Sequence, residues 1–158
     1  PDKQFVNLIG SMNSWTRDDT NYLLKKDSAR DRFWIELIGL TPQTNIMYQY
    51  LVDGLIRIAD PYSTTILDES NDGFINATTY PNLPTYPTGQ TNHAVTLLRT
   101  GDTPYTWQTT NFQPPAKTDL VIYELLVRDF VSTHNYQTLI DMCLNYVDHQ
   151  LQPIFNGD

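Results

Sequence analysis

The sequence predicts an all-β sandwich over residues 1–100, a connector over 101–118 and the opening of an α/β domain over 119–158. Three observations predict this arrangement. Short alternating apolar segments separated by turn residues are typical of a β-sandwich. A continuous apolar run, Leu120-Val-Ile-Tyr-Glu-Leu-Leu126, predicts a strand covered on both faces, as in a parallel sheet. A helical pattern follows this run, and a strand followed by a helix is the first unit of an α/β fold.

The predicted sandwich strands follow one another closely along the chain. Turn signals separate them, and the strongest is Asp53-Gly54, a dipeptide that favours a tight hairpin. The segment before this turn alternates apolar and polar side chains, and the segment after it returns as a short strand. A loop rich in Pro, Thr and Asn, residues 80–91, precedes the last strand. The predicted strands are 5–10, 21–26, 33–38, 45–52, 55–58 and 93–98.

The helix of the second domain is predicted from the spacing of its apolar residues. They recur at intervals that place side chains on one face of an amphipathic helix. Asn135 precedes them and is a suitable N-cap, because its side chain can accept hydrogen bonds from the first backbone N–H groups. The apolar positions are Tyr136, Leu139, Ile140, Cys143, Leu144 and Val147.

Charge and composition limit the classes of partner. The chain has a net charge of -8. Because nucleic-acid binding needs a basic stripe, and Lys25-Lys26 is the only adjacent basic pair, we expect no nucleic-acid partner. No apolar run is long enough to span a bilayer, so we expect no membrane insertion. The single cysteine, Cys143, excludes an intrachain disulfide. Neutral ligands such as sugars remain compatible with this composition.

The sequence carries none of the common catalytic or metal-binding motifs. It has no Gly-rich phosphate loop, no cysteine pair for zinc and no His-x-x-x-His pattern. Ser11 and Ser14 lack the flanking glycines of a nucleophile elbow. Glu124 and Asp129 lie in and just after the apolar run, but glycoside hydrolysis needs two facing carboxylates, and the sequence does not pair them. We therefore predict no catalytic residue, no metal site and no cofactor.

Trp15 is the strongest single candidate for a binding residue. Sugar binding uses an exposed flat aromatic ring with hydrogen-bonding groups at its edge. Trp15 lies in the turn-rich segment Ser11-Met-Asn-Ser-Trp15, where no large apolar residue adjoins it. Two interpretations stay open: its ring stacks on a sugar, or it covers the end of the sandwich.

Three motifs together resemble those of one enzyme family. They are Gly10-Ser-Met-Asn-Ser-Trp15, Tyr48-Gln-Tyr-Leu-Val-Asp-Gly54 and Ala59-Asp-Pro-Tyr62. In this order they resemble the immunoglobulin-like early-set sandwich that precedes the barrel in glycoside hydrolase family thirteen. The same sandwich is similar to carbohydrate-binding module family forty-eight. The segment Leu120–Phe130 resembles the first barrel strand of those enzymes, and Asn135–Asp141 resembles the helix that follows. The resemblance implies an early-set sandwich followed by the first β/α unit of a truncated TIM barrel.

The resemblance implies the N-terminal region of an α-amylase or a glycogen branching enzyme, acting on α-glucan polysaccharide or maltooligosaccharide. The family's catalytic carboxylates lie on later strands, so the chain alone is expected to be inactive. Carbohydrate binding is assigned to Trp15, Gln49 and Asn76, although Gln49 stands where glycogen-binding members have lysine. The family variant favours a bacterial periplasmic or secreted location. The alternative is a non-catalytic α-glucan-binding or scaffold module.

Overall fold

The computed structural model describes residues 2–107 and 110–143. Most of the regular structure in these residues is antiparallel β-sheet, and helix is scarce. The chain forms two compact units. The first comprises Pro1–Phe74 and Pro84–Tyr105, and the second comprises Ile75–Leu83 and Thr106–Asp158. The strands assigned in the described residues all belong to the first unit.

The strands of residues 2–107 form two antiparallel sheets. They are β1 (Val6–Gly10), β2 (Lys25–Asp27), β3 (Arg32–Trp34), β4 (Asn45–Val52), β5 (Ile56–Ile58), β6 (Ile66–Leu67) and β7 (Val95–Arg99). Strands β2 and β3 form a two-stranded sheet, and the other five form a second sheet around β4. The structure confirms a strand overlapping each of the six predicted segments and adds the short β6.

β4 is the centre of the five-stranded sheet because both of its edges are paired. One edge pairs with β1 over the whole length of that strand. The other edge is shared, since β7 pairs with residues 45–48 and β5 pairs with residues 50–52. Gln49 lies between these two segments, at the point where one partner strand ends and the next begins.

A tight turn centred on Asp53 and Gly54 joins β4 to β5, as the sequence predicts. Asp53 and Gly54 both have positive φ, 49° and 70°, which the type I′ turn of a tight hairpin requires. The Asp53 carboxylate also accepts hydrogen bonds from the backbone N–H groups of Phe5 (3.1 Å) and Gln4 (2.8 Å). These two bonds hold the pKa of Asp53 below its usual value. One aspartate therefore joins the hairpin turn to the segment that leads into β1.

A hydrophobic cluster joins the two sheets. Val6, Leu8, Tyr48 and Val52 lie on one face of the five-stranded sheet, because alternate residues of a strand point the same way. Leu24, just before β2, packs with them. Partly buried side chains from β3 and the segment after it pack against this cluster: Phe33, Ile35 and Leu37.

The opposite face of the five-stranded sheet is buried as well. Ile9, Leu51, Leu67 and Val95 are each at most 1% exposed. The strand registers place them on the face that Tyr48 does not share. Gln49 belongs to this second face and is therefore enclosed together with them.

The second unit does not contain the predicted buried strand within its described residues. Residues 120–126 have no sheet partner there, and Val121 and Ile122 are 96% and 85% exposed. A short helix, α1 (Val127–Phe130), follows directly. An apolar run becomes a strand only where a neighbouring strand satisfies its backbone N–H and C=O groups. The described part of the chain provides no such neighbour, so the expected β/α unit of a barrel is not formed in it.

The predicted helix after this run is confirmed as far as the described residues extend. This helix, α2, covers residues 136–143. Asn135 caps it as predicted, since its Oδ1 accepts hydrogen bonds from the Thr138 backbone N–H (2.8 Å) and from the Thr138 hydroxyl (2.9 Å). The predicted helical positions Leu144 and Val147 lie outside the described residues.

Candidate functional site

Trp15 lies at the end of a turn that Asn13 organises. β1 ends at Gly10, and a 3-10 helix, Ser11–Asn13, follows it. Asn13 Oδ1 accepts a hydrogen bond from the Gly10 N–H (3.0 Å), and its Nδ2 donates to the carbonyl of Leu8 (3.1 Å). Trp15 donates its backbone N–H to the Gly10 carbonyl (2.9 Å) and adopts a left-handed φ of 61°. The amide of Asn13 thus fixes the backbone that presents Trp15.

This turn lies directly against β4. A Cβ atom added at Gly10 would be 2.1 Å from the carbonyl oxygen of Met47, far inside contact distance. Gly10 has an extended φ of 174°, so the close approach of two backbones, and not the φ angle, requires glycine there. Ser11 Oγ accepts a hydrogen bond from the Met47 N–H (3.1 Å). The Gly10–Trp15 motif is therefore bound to the strand that carries the second motif.

The side chain of Trp15 is half-buried. Its ring neither lies in the core nor stands free in solvent. Stacking on a sugar needs an accessible ring, whereas covering the end of the sandwich needs a buried one. Both interpretations drawn from the sequence are consistent with this position, so carbohydrate binding by Trp15 stays a prediction.

Gln49 is fully buried, at 0% exposure, and its amide holds the segment that precedes β7. Nε2 donates hydrogen bonds to the carbonyls of Asn92 (2.8 Å) and Ala94 (2.7 Å). Oε1 accepts one from the Thr91 hydroxyl (2.5 Å). A ligand cannot reach this amide unless the segment 91–94 moves away. The structure therefore gives Gln49 a role in folding, and a carbohydrate contact by its side chain stays a prediction that requires this movement.

Asn76 is an exposed residue of the second unit. Its Oδ1 accepts hydrogen bonds from the backbone N–H groups of Thr78 and Thr79, both at 3.0 Å. This is the local turn that Asn side chains commonly form with the backbone two and three residues ahead. Trp15 and Gln49 belong to the other unit. A carbohydrate contact by Asn76 stays a prediction.

A hydrogen-bonded cluster that sequence reasoning missed joins the second and third motifs. Tyr48 and Tyr50 both donate their hydroxyl protons to Asp60 Oδ2, at 2.8 and 3.0 Å. The Tyr62 backbone N–H donates to Asp60 Oδ1 (2.9 Å), and the Asp60 N–H donates to Thr96 Oγ1 (2.6 Å). The two tyrosine rings meet edge to face, with centroids 5.7 Å apart. Their spacing of two residues predicts a shared strand face, but no pattern in the sequence identifies Asp60 as their acceptor.

The environment of this cluster keeps the tyrosines neutral and the aspartate ionised. Burial raises the pKa of Tyr48 and of Tyr50, and the hydrogen bonds that they donate to Asp60 raise both further. Partial burial would raise the pKa of Asp60, but the hydrogen bonds from the Tyr62 amide and the two hydroxyls together hold it below its usual value. The cluster is thus a stable carboxylate acceptor with two fixed donors, a structural arrangement and not an acid–base pair.

Comparison with known proteins adds no family to these observations. No protein-family model and no curated protein sequence matches the chain. Among the residues that the structure describes, no helix is long and apolar enough to cross a membrane. The same residues contain no group of three or more His, Cys, Asp or Glu side chains placed to hold a metal ion.

Proposed function

We propose that this chain is the N-terminal region of an α-glucan-active glycoside hydrolase or transglycosylase. Its first unit would be an immunoglobulin-like early-set sandwich that contacts α-glucan or maltooligosaccharide. Residues 120–126 would form the first strand of a catalytic barrel where further strands pair with them. The bond-breaking step would then belong to two carboxylates outside this chain, one a nucleophile and the other an acid.

The observation that supports this proposal is the meeting of the three resembling motifs on one strand. The Gly10–Trp15 turn packs against β4 through the Gly10–Met47 approach. The second motif is β4 itself with its hairpin turn, and the third supplies Asp60 to the tyrosines of β4. In the resembling family these motifs belong to one sandwich, and here they lie in or directly beside strands of one sheet. Their convergence supports the resemblance as a whole, and with it the α-glucan function.

A second candidate is a module with a purely structural or scaffolding role. The burial of Gln49 favours it, because one of the three residues assigned to glucan binding is enclosed in the fold. This candidate predicts no glucan affinity in the isolated chain. The enzyme proposal requires a catalytic barrel next to this module, and the structural candidate does not. A binding module contacts sugar with its exposed surface, and the structural candidate does not.

The molecular mass of the protein purified from its natural source tests the enzyme proposal. A mass tens of kilodaltons above the 18.2 kDa of this chain, with activity on glycogen or soluble starch, is the expected result. A (β/α)₈ barrel adds about 250 residues, so the difference is unambiguous by denaturing mass spectrometry. A mass of 18.2 kDa with no activity on α-glucans would contradict the enzyme proposal and leave the binding and scaffold candidates.

A further inference from the structure

A pocket of about 370 Å³ opens on the first unit, and its lining contains none of the residues assigned above to carbohydrate binding. It lies between the 3-10 helix Ser11–Asn13, a second 3-10 helix, Thr20–Tyr22, and the segment 36–40 that follows β3. Its volume falls within the range of small-ligand sites, about 300–1,000 Å³. Its wall combines apolar side chains with an amide, a phenol and one carboxylate.

The floor of this pocket is fixed by the core. Met12, Tyr22 and Leu37 line the pocket and also pack against the hydrophobic cluster that joins the two sheets. Tyr22 donates its hydroxyl proton to the carbonyl of Met12 (3.4 Å), which links two of the three walls. These three side chains are held in place before a ligand arrives, which lowers the cost of binding, while Ile38 at the rim is 84% exposed.

Asn21 and Glu36 are exposed polar side chains at the pocket, with acceptors that water satisfies in the free protein. The amide of Asn21 donates to Asp19 Oδ1 (3.1 Å), which orients the side chain. Among the described residues, no protein group donates a hydrogen bond to Asn21 Oδ1 or to the carboxylate of Glu36. Both oxygens are acceptors that a ligand with hydroxyl groups can satisfy.

The charge and shape of the lining define the class of ligand. Glu36 is the one lining residue that carries a charge, so the pocket disfavours phosphates and other anions. A pyranose ring has an apolar face and a rim of hydroxyl groups. The ring of Tyr22 with Met12 and Leu37 matches the apolar face, and Asn21 and Glu36 match the hydroxyl groups.

We propose that this pocket binds one glucosyl unit of an α-glucan; the choice of glucose among sugars rests on the function proposed above. Met12 belongs to the same turn as Trp15, and Asn13 holds that turn in place. A glucan chain bound in the pocket would therefore contact the same short segment that carries Trp15. Asn21 and Glu36 become binding residues that the sequence motifs do not contain.

Isothermal titration of the 158-residue chain with maltotriose tests this proposal. The Asn21→Ala/Glu36→Ala double variant is expected to raise the Kd by about tenfold or more, because two hydrogen bonds to the ligand are lost. Glu36→Gln keeps a hydrogen-bonding side chain and should cost less. Glu124→Ala removes the charge of an exposed residue in the second unit and should leave the Kd unchanged.

Backbone amide chemical shifts in the maltotriose titration locate the bound sugar, even where a variant folds poorly. Shifts at Asn21, Tyr22 and Glu36 support the proposal. Binding that the double variant retains in full, with shifts confined to the surroundings of Trp15, overturns the pocket assignment and leaves the proposed function standing. If no amide chemical shift changes at about 10 mM maltotriose, both the pocket assignment and glucan binding by this chain are overturned. The enzyme proposal is then still decided by the mass measurement.

Discussion

Asp60 joins β4 to the segment 60–62 through a single carboxylate. Its two oxygens accept hydrogen bonds from Tyr48, Tyr50 and the backbone of Tyr62. Gln49 does the same on the opposite face of β4, where its amide binds the segment 91–94. Such contacts follow no periodic pattern in the sequence, because they form where a loop returns to a strand. This is why the sequence alone does not identify Gln49 and Asp60 as the residues that hold these segments to β4.

Removal of the Asp60 side chain should destabilise the first unit strongly. Asp60→Ala leaves the hydroxyls of Tyr48 and Tyr50 without their acceptor in a partly buried place. The expected loss in the free energy of unfolding is about 2–4 kcal/mol, measured by urea denaturation. Tyr50→Phe removes one donor only and should cost about 1 kcal/mol.

Asp102→Ala is the matched control for Asp60→Ala. It removes a carboxylate that forms an exposed ion pair with Arg99 (2.7 Å), and pairs of this kind contribute about 0–1 kcal/mol. Equal losses for Asp60→Ala and Asp102→Ala would contradict the role given to the tyrosine cluster.

The same cluster makes stability depend on pH in the acid range. Because the pKa of Asp60 is lower in the folded than in the unfolded chain, its ionised form stabilises the fold above the unfolded value of about 3.9. This contribution is lost as the pH falls through the lower, folded pKa. The free energy of unfolding, measured from about pH 6 down to pH 2, should fall less steeply in Asp60→Asn than in the natural chain. Parallel curves for the two proteins would show that Asp60 does not contribute.

At the scale of elements, the sequence predicted the strands around β4 well and the run at 120–126 poorly. The first group succeeded because turn signals such as Asp53-Gly54 fix where each strand ends. The strand at 120–126 was inferred from a continuous apolar run and from the resemblance, and neither supplies a partner strand. Its backbone stays unpaired among the described residues. The helix 136–143 succeeded because a helix makes its hydrogen bonds within itself and Asn135 caps it.

The contact between the Gly10 turn and β4 gives a prediction at this scale. Gly10→Ala places a Cβ atom 2.1 Å from the Met47 carbonyl oxygen, so one of the two backbones must shift. The expected loss in the free energy of unfolding is about 2 kcal/mol or more by urea denaturation. Gly73→Ala is the control, since nothing lies within 4 Å of its added Cβ. A Gly10→Ala protein as stable as Gly73→Ala would show that the turn does not pack against β4 this closely.

For the whole molecule, the proposed α-glucan contact would lie on the first unit, beside its five-stranded sheet. β4 is the central strand of the sheet, and Gly10 and Ser11 hold the turn of Trp15 against it. The apolar side chains of the pocket beside that turn pack against the core. The net charge of -8 suits a neutral ligand and disfavours anionic ones. Each part of the proposed surface is thus held before a ligand arrives.

The central claim is that the isolated chain binds α-glucan through the surface around Trp15. Affinity electrophoresis in gels that contain glycogen tests it directly, with dextran gels as the control polysaccharide. The account predicts retardation by glycogen alone, and a Trp15→Ala variant that binds about fivefold or more weakly because stacking on the ring is lost. Trp34→Ala, which removes an exposed tryptophan of the first unit outside the Trp15 turn, should migrate like the natural chain. Equal mobility of all three proteins in gels with and without glycogen would contradict the account.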